Sequence, residues 1–380
     1  MSIKIAILGL GTVGYGVYDI LQKVPELSDI KVVKIFDKDF SKQAIVNNLI
    51  TDNYKEILDD KSIKIVVETM GAGEFSYLCI KQALMASKHV VTANKEVIAN
   101  YIDELSKIKL LNNVSLCYEA SVGGGIPIIK QIQNIACVNE ISEIKGILNG
   151  TTNYILSKMT NDNLTFREAL NLAQQAGFAE ADPTADLEGL DMVRKIAILS
   201  DIGYKTNVNI NDIWNFGIKN ISDKDIAYAN KLNCCVKFIA SSRLENNQIY
   251  INVEPKFVPK DNVFAMVSNE FNIVTIKSNY NDELMFVGKG AGRYPTANAI
   301  VNDIITIVHN DFNYTFCNLN DYLITNKDKG TYYLRVKDVS KINKDLIKDV
   351  SDNQIITKDI DFNIIKENIE NIIIYAKVEK

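Results

Sequence analysis

Histidine is nearly absent from this chain of 380 residues: only His89 and His309 occur, and neither sits in a polar cluster. Any acid-base chemistry therefore falls to Lys, Asp, Glu or Tyr. Long apolar runs are missing as well; no window approaches about 18 uninterrupted apolar residues, so no segment reads as membrane-spanning. The opening "MSIKIAILGLG" has no basic leader, apolar stretch and small-residue cleavage site, so no secretory signal is expected. Excess positive charge is lacking too. The net charge is -5, without a basic stretch, which argues against nucleic acid as a partner. The six cysteines (Cys79, Cys117, Cys137, Cys234, Cys235 and Cys317) show no C-x-x-C spacing and read as reduced, buried thiols of a cytoplasmic protein. What remains is ordinary soluble composition, 47% apolar and 23% charged, on a chain long enough for two or three domains.

Short β-branched runs ("KIAILG", "IKVVKIFD", "IKIVVET", "HVVTAN", "VSLCYEA") alternate with amphipathic segments over the first 135 residues. That rhythm predicts a parallel sheet with crossover helices. After "EISEIKGILNG" it changes. Two helices, "TFREALNLAQQA" and "ADLEGLDMVRKIAILSDIG", precede strand-like runs separated by Asn-Asn and Asn-Asp turns, as in an antiparallel meander. This predicts a second, α+β domain over 136–294. A helix over 295–315, capped by Thr296, would return to the first domain. Residues 328–380 read as a small module or tail of their own.

The stretch "ILGLGTVG" places Gly9, Gly11 and Gly14 in G-x-G-x-x-G spacing, after a strand and at the opening of a helix, the context a dinucleotide site needs. Gly9 serves the tight turn, Gly11 the approach of the pyrophosphate and Gly14 close helix packing, with Thr12 and Val13 offering backbone donors. Asp37 ends the second strand where an acid takes the ribose 2'-hydroxyl of NAD, whereas Lys38 beside it suits a 2'-phosphate. The choice leans to NAD. Lys95 follows a strand end in "VVTANKE", reading either as a residue directed into a cleft or as the start of a solvated helix. "YEASVGGGIPI" reads equally as a hinge or as a loop presenting carbonyls to a hard cation. In "GILNGTTNYIL", Thr151 and Thr152 read as helix caps.

"AGFAEADPTADLEGLDMVRK" holds five carboxylates and closes on Asp191 and Lys195, spaced i, i+4. On spacing alone this is a surface ion pair worth a few tenths of a kcal/mol. Leu187, Leu190, Met192, Val193, Ile196, Ala197 and Leu199, however, make the helix apolar nearly all round. Its charges are then expected to be buried, and with no usable histidine a buried lysine is the natural proton donor to a carbonyl oxygen.

At these residues the sequence resembles homoserine dehydrogenase. The segment Ala173 to Lys195, "AQQAGFAEADPTADLEGLDMVRK", fits that family's signature, and "GLGTVG", "TANKE", "EASVGGGIP", "GILNGTTNYIL" and "GKGAGRYPTA" follow the family's order over residues 1 to 320. The resemblance implies an α/β fold: a Rossmann-type doubly wound parallel sheet (1–135), an α+β substrate and dimerisation domain (136–294) and a short, degenerate ACT-like module (328–380). It implies reversible NAD(P)H-dependent reduction of aspartate 4-semialdehyde to homoserine, by a cytoplasmic homodimer. Lys195 would move the proton. Glu180 and Asp191 would hold the substrate's amino acid end, with Asp186, Gly150 and Thr151 in the same site. Lys95 would contact substrate and cofactor; Thr69, Gly177, Gly290 and Gly292 would border the cofactor; and backbone oxygens of Glu119, Val122, Gly124 and Ile126 would hold a sodium ion. Phe178 stands where some members carry Tyr, and the tail after "TYYLRVKDV" lacks the usual Pro-Gly turn, leaving threonine inhibition open. Two other readings stand beside this one: another NAD(P)-dependent amino acid dehydrogenase, and a catalytically silent NAD-responsive binding protein.

Overall fold

The computed structural model describes residues 2–309, 320–325 and 328–379. They fall into two compact units, one built from the described parts of Met1–Cys137, Asp201–Asn207 and Lys289–Leu319, the other from Val138–Ser200, Val208–Gly288 and Asn320–Lys380.

In the first unit six strands, β1 (Ile3–Leu8), β2 (Ile30–Phe36), β3 (Ile50–Thr51), β4 (Ile63–Glu68), β5 (His89–Thr92) and β6 (Leu116–Cys117), form a parallel sheet in the order β3-β2-β1-β4-β5-β6. This is the doubly wound order, whose direction reverses beside β1 and leaves a crevice at the carboxyl ends of the strands. Helices α1 (Thr12–Lys23), α2 (Lys55–Asp59), α3 (Glu74–Met85), α4 (Lys95–Leu111) and α5 (Ile129–Val138) belong to the same unit. Strands buried on both faces read as continuous apolar runs, which is why "KIAIL" and "IVV" carry no alternation.

The second unit opens with β7 (Ile141–Ile147), then α6 (Gly150–Asn161), α7 (Phe166–Gln175), α8 (Thr184–Leu187) and α9 (Leu190–Tyr204), the last running on into the first unit. The sequence suggested one helix where α8 and α9 lie. Gly189 divides them at φ +84°, and a Cβ there would come within 2.8 Å of the Phe238 ring. Next come β8 (Trp214–Asn215), α10 (Asp223–Lys231), β9 (Cys234–Glu245), β10 (Gln248–Pro259), α11 (Val263–Met266), β11 (Phe271–Ser278) and β12 (Asp282–Lys289). The β9–β10 hairpin turns through Asn246 and Asn247, both at positive φ, as an Asn-Asn two-residue turn requires. The strands are not a simple meander: β7 lies between β11 and β9, antiparallel to both.

Helix α12 (Arg293–Val308) belongs to the first unit and contributes Ala297, Ile300, Ile304 and Ile307 to a core with Ile5, Ile7, Val17 and Leu21. It starts two residues earlier than expected, capped at Gly292 (φ +120°); Thr296 lies inside it. Residues 310–315 of the expected helix lie outside the described residues, as does Cys317. The cysteine expectation also needs correction, since Cys79, Cys234 and Cys235 are buried but Cys137 is exposed.

The chain ends with β13 (Leu323–Thr325), β14 (Lys329–Gly330), β15 (Tyr332–Val336), β16 (Ile347–Ser351), β17 (Gln354–Thr357), β18 (Ile360–Asp361), α13 (Phe362–Glu367) and β19 (Ile372–Val378). The order β19-β15-β17-β16 is that of a split βαβ unit in which two 3-10 turns replace the first helix. Strand β19 pairs in parallel with β10, so these residues extend the second unit's sheet, which counts eleven strands among the described residues.

Candidate active site

The glycine loop between β1 and α1 is fixed from three sides. Gly9 stands at φ +91°, and a Cβ there would press on the Thr69 carbonyl at 3.0 Å. At Gly14 a Cβ would overlap the Gly9 carbonyl oxygen, whereas Gly11, which caps α1, has open space around it. The loop is thus closed at two glycines and open at the third, with Thr12 and Val13 beginning the helix and their N–H groups among its unsatisfied donors. Asp37 follows β2 and accepts the N–H of Leu10 and of Asp39 (2.8 Å), so its carboxylate lies against the loop. The Thr69 hydroxyl is spent on the protein itself, within 2.9–3.0 Å of the Gly9 and Leu8 carbonyls.

Lys95 opens α4 next to its cap Asn94, which accepts the Val97 N–H (3.2 Å) and donates to the Gly71 carbonyl (2.6 Å). Beneath them the fully buried Glu68 accepts the Thr92 hydroxyl (2.6 Å) and the Met70 N–H (2.8 Å). Burial pushes the Glu68 carboxyl above its usual range. Sequence reading missed this brace; an acid ending an apolar strand was its only trace.

In the loop over 119–126, Gly124 is at φ +56° and a Cβ there would collide with the Gly290 backbone. The Glu119 carboxylate accepts the first free N–H groups of α5, from Ile129 (2.7 Å) and Lys130 (2.9 Å). Burial raises that carboxyl and, more strongly, that of Asp303, which accepts the Glu119 N–H (2.9 Å). With the carboxylate so engaged, what the loop offers a ligand is carbonyl oxygen. Among the described residues no three His, Cys, Asp or Glu side chains gather as a metal centre.

In the second unit Asp191 and Lys195 form the ion pair that the spacing suggested, at 2.8 Å, but with only 7% and 10% of their side chains exposed. Lys195 Nζ also donates to the Leu148 carbonyl (2.7 Å), at the end of the β7 segment. Asn149 ties the group together. Its Nδ2 donates to Asp186 (2.7 Å) and to the Asp191 oxygen that Lys195 holds (2.9 Å), while its Oδ1 caps α6 by accepting the Thr152 N–H (2.9 Å). The cap is therefore Asn149, not Thr151 or Thr152, because only the residue before the first turn can present a side-chain oxygen to that N–H. Thr151 instead donates to the Phe178 carbonyl (2.6 Å), pinning the loop that carries Gly177 (φ +75°) and Glu180. Gly150 is held close to the Glu270 carbonyl, where a Cβ would come within 2.8 Å. Asp186, Asp191, Lys195 and Asn149 are thus brought together, whereas Glu180 stands exposed on its loop. Asn149 could have been sought in the sequence as the polar residue between a strand and Gly-Thr-Thr.

Residues 127–305 match the family model for homoserine dehydrogenase, and residues 9–119 match that for the homoserine dehydrogenase NAD binding domain. A homoserine dehydrogenase of Synechocystis is 42% identical over 319 residues, 81% of this chain and 74% of that protein. The crystal structure of a homoserine dehydrogenase from Thiobacillus denitrificans superposes over 100% of this chain and 99% of its own with TM-score 0.91 at 30% identity. A hyperthermophilic archaeal homoserine dehydrogenase in complex with NADPH covers 82% of this chain and 98% of its own, at TM-score 0.69 and 26% identity. The chain belongs to the homoserine dehydrogenase family of NAD(P)-dependent oxidoreductases.

Proposed function

We propose that the protein catalyses the reversible, NAD(P)H-dependent reduction of L-aspartate 4-semialdehyde to L-homoserine, with Lys195 as the proton donor and acceptor. The observation that carries this reading is the buried Lys195–Asp191 pair, oriented by Leu148 and Asn149. NAD(P)H, held by the glycine loop, would supply a hydride to the aldehyde carbon. As negative charge grows on the aldehyde oxygen, the Lys195 ammonium delivers a proton from Nζ, and in reverse it recovers one. Asp191 favours the charged lysine and aims it. Asp186 and Glu180, with Asp191, are assigned the substrate's amino acid end; Gly150 and Thr151 shape that site through the backbone. Lys95 keeps the role implied by the resemblance, contact with substrate and cofactor.

For the cofactor, the closed glycines support a pyrophosphate at Gly11, Thr12 and Val13, with Gly9 and Gly14 shaping the turn, Thr69 bracing it, and Gly177, Gly290 and Gly292 assigned to its nicotinamide side. Asp37 favours NAD, because its carboxylate would repel a 2'-phosphate; the archaeal relative with NADPH keeps NADP in view. The carbonyls of Glu119, Val122, Gly124 and Ile126 are hard, neutral donors, the chemistry that suits a sodium ion serving as a loop clamp. A homodimer is favoured by β12, the outer strand of its sheet, which exposes Met285 and Val287 at 48% and 55%. A reducing cytoplasm suits the free thiols of the described cysteines. The test is a spectrophotometric assay of NADH and NADPH oxidation with aspartate semialdehyde; no oxidation of either coenzyme would refute the activity.

A further inference from the structure

The second unit contains a cavity of about 340 Å³ away from Lys195, at the far end of α6. Asn149 caps the start of that helix, and Thr160, near its end, lies ten residues beyond Gly150, about 15 Å along the axis. The cavity is lined by Ser157, Thr160 and Ser268, by Cys235 and Lys237 on β9, and by Lys260 after β10; among the described residues no acidic side chain lines it.

Lys237 is only 4% exposed, yet among the described residues its ammonium has neutral partners alone, the Val267 carbonyl (2.6 Å) and Asn153 Oδ1 (3.3 Å). A buried cation with no counter-charge is strongly disfavoured unless an anion joins it or it gives up its proton. Burial does push the Lys237 amine down, against a smaller opposing pull from the Cys235 thiol. Lys260 is exposed, and the buried Thr160 hydroxyl has no hydrogen-bond partner among the described residues. The C-terminal end of α6 opposes an anion with about half a negative charge, which two lysines exceed.

We propose that this cavity binds a phosphate group carried on a small molecule, held between the Lys237 and Lys260 ammonium groups and by the hydroxyls of Thr160, Ser157 and Ser268. Three terminal oxygens match two cations and three hydroxyls better than the two oxygens of a carboxylate. The cavity of about 340 Å³ is more than free phosphate fills. The ester is therefore the better fit.

Isothermal titration of the full chain, saturated with NADPH to block the glycine loop, with glycerol 3-phosphate, inorganic phosphate and acetate tests this. Both phosphates should bind, the ester at least about threefold tighter than inorganic phosphate and acetate about tenfold weaker, one charge-assisted contact being worth about a decade. Lys237→Met should weaken ester binding at least about tenfold by the same measure. Should that variant fail to fold, the exposed Lys260→Met should still weaken it by about threefold. Absence of phosphate binding up to about 10 mM, a dissociation constant already weaker than that of any useful small-ligand site, would overturn the proposal. So would equal affinity for acetate, or affinity unchanged in Lys260→Met and in any folded Lys237→Met.

Discussion

Replacing Lys195 by Met removes the ammonium while keeping most of the apolar stem. Two losses follow, and they can be measured apart. The first is chemical: without a donor at Nζ the developing oxyanion must find its proton elsewhere, and general acid catalysis is worth roughly 100- to 10,000-fold, or about 2.7–5.4 kcal/mol at 1.36 kcal/mol per decade. The second is structural, because Asp191 is left with its side chain 7% exposed and its ammonium partner gone. Breaking a buried pair costs about 3–5 kcal/mol, and the Asn149 hydrogen bond at 2.9 Å should moderate that toward the lower end. The double variant Asp191→Asn, Lys195→Met carries no unpaired charge, so it should recover most of the lost stability and none of the activity. Turnover is followed by NADPH oxidation with aspartate semialdehyde, stability by urea unfolding, and cofactor binding by NADPH fluorescence, which should stay near normal because the glycine loop is built entirely within the first unit. Turnover within about tenfold of the unaltered protein, below the range of general acid catalysis, would refute the assignment of Lys195. A double variant no more stable than the single one would refute the electrostatic account of the pair.

Gly14→Ala should lower cofactor affinity at least about tenfold and cost about 1–3 kcal/mol of stability, since its methyl group would occupy the space of the Gly9 carbonyl oxygen; unchanged NADH binding by fluorescence titration would contradict this. Asp37→Ser should shift coenzyme preference toward NADPH by about tenfold in kcat/KM, by removing one like charge near the 2'-phosphate; a ratio unmoved by the change would place Asp37 outside the choice. Glu379 pairs with the buried Lys256 (3.0 Å), and that ammonium first of all draws its carboxyl down to about 2 from an ordinary value of 4.5. A depressed carboxyl stabilises above its unfolded pKa and loses that contribution as pH falls from about 4.5 toward 2, about 3 kcal/mol in all at 1.36 kcal/mol per unit. Glu379→Gln should therefore flatten the stability profile in that window; an identical acid limb in urea titrations would exclude the pair as its cause.

How much of this was legible in the residues depends on the range of the interaction. The parallel sheet was readable because its strands carry their own apolar runs, and the glycine loop because strand, glycines and helix are contiguous. The burial of Asp191 and Lys195 was readable too, since a helix apolar all round has no solvated face for them. Asn149 was not: capping α6 is a local habit of asparagine, but its amide bridges Asp186 and Asp191, 37 and 42 residues away. Gly189 likewise breaks a continuous apolar pattern because Phe238, on a strand formed far along the chain, occupies the space of a side chain. The insertion of β7 between β11 and β9, and the parallel pairing of β19 with β10, have no local signal at all, because strand order is decided by which faces must be covered and not by the strands' own composition. The same distinction separates the residues of the candidate site. Lys195 announces itself through its own helix, whereas the groups that hold it, the Leu148 carbonyl and the Asn149 amide, come from the end of a strand segment whose position only the folded sheet determines. A lysine's chemistry was thus visible in sequence, but its direction is set by a neighbour that sequence presents merely as a helix cap.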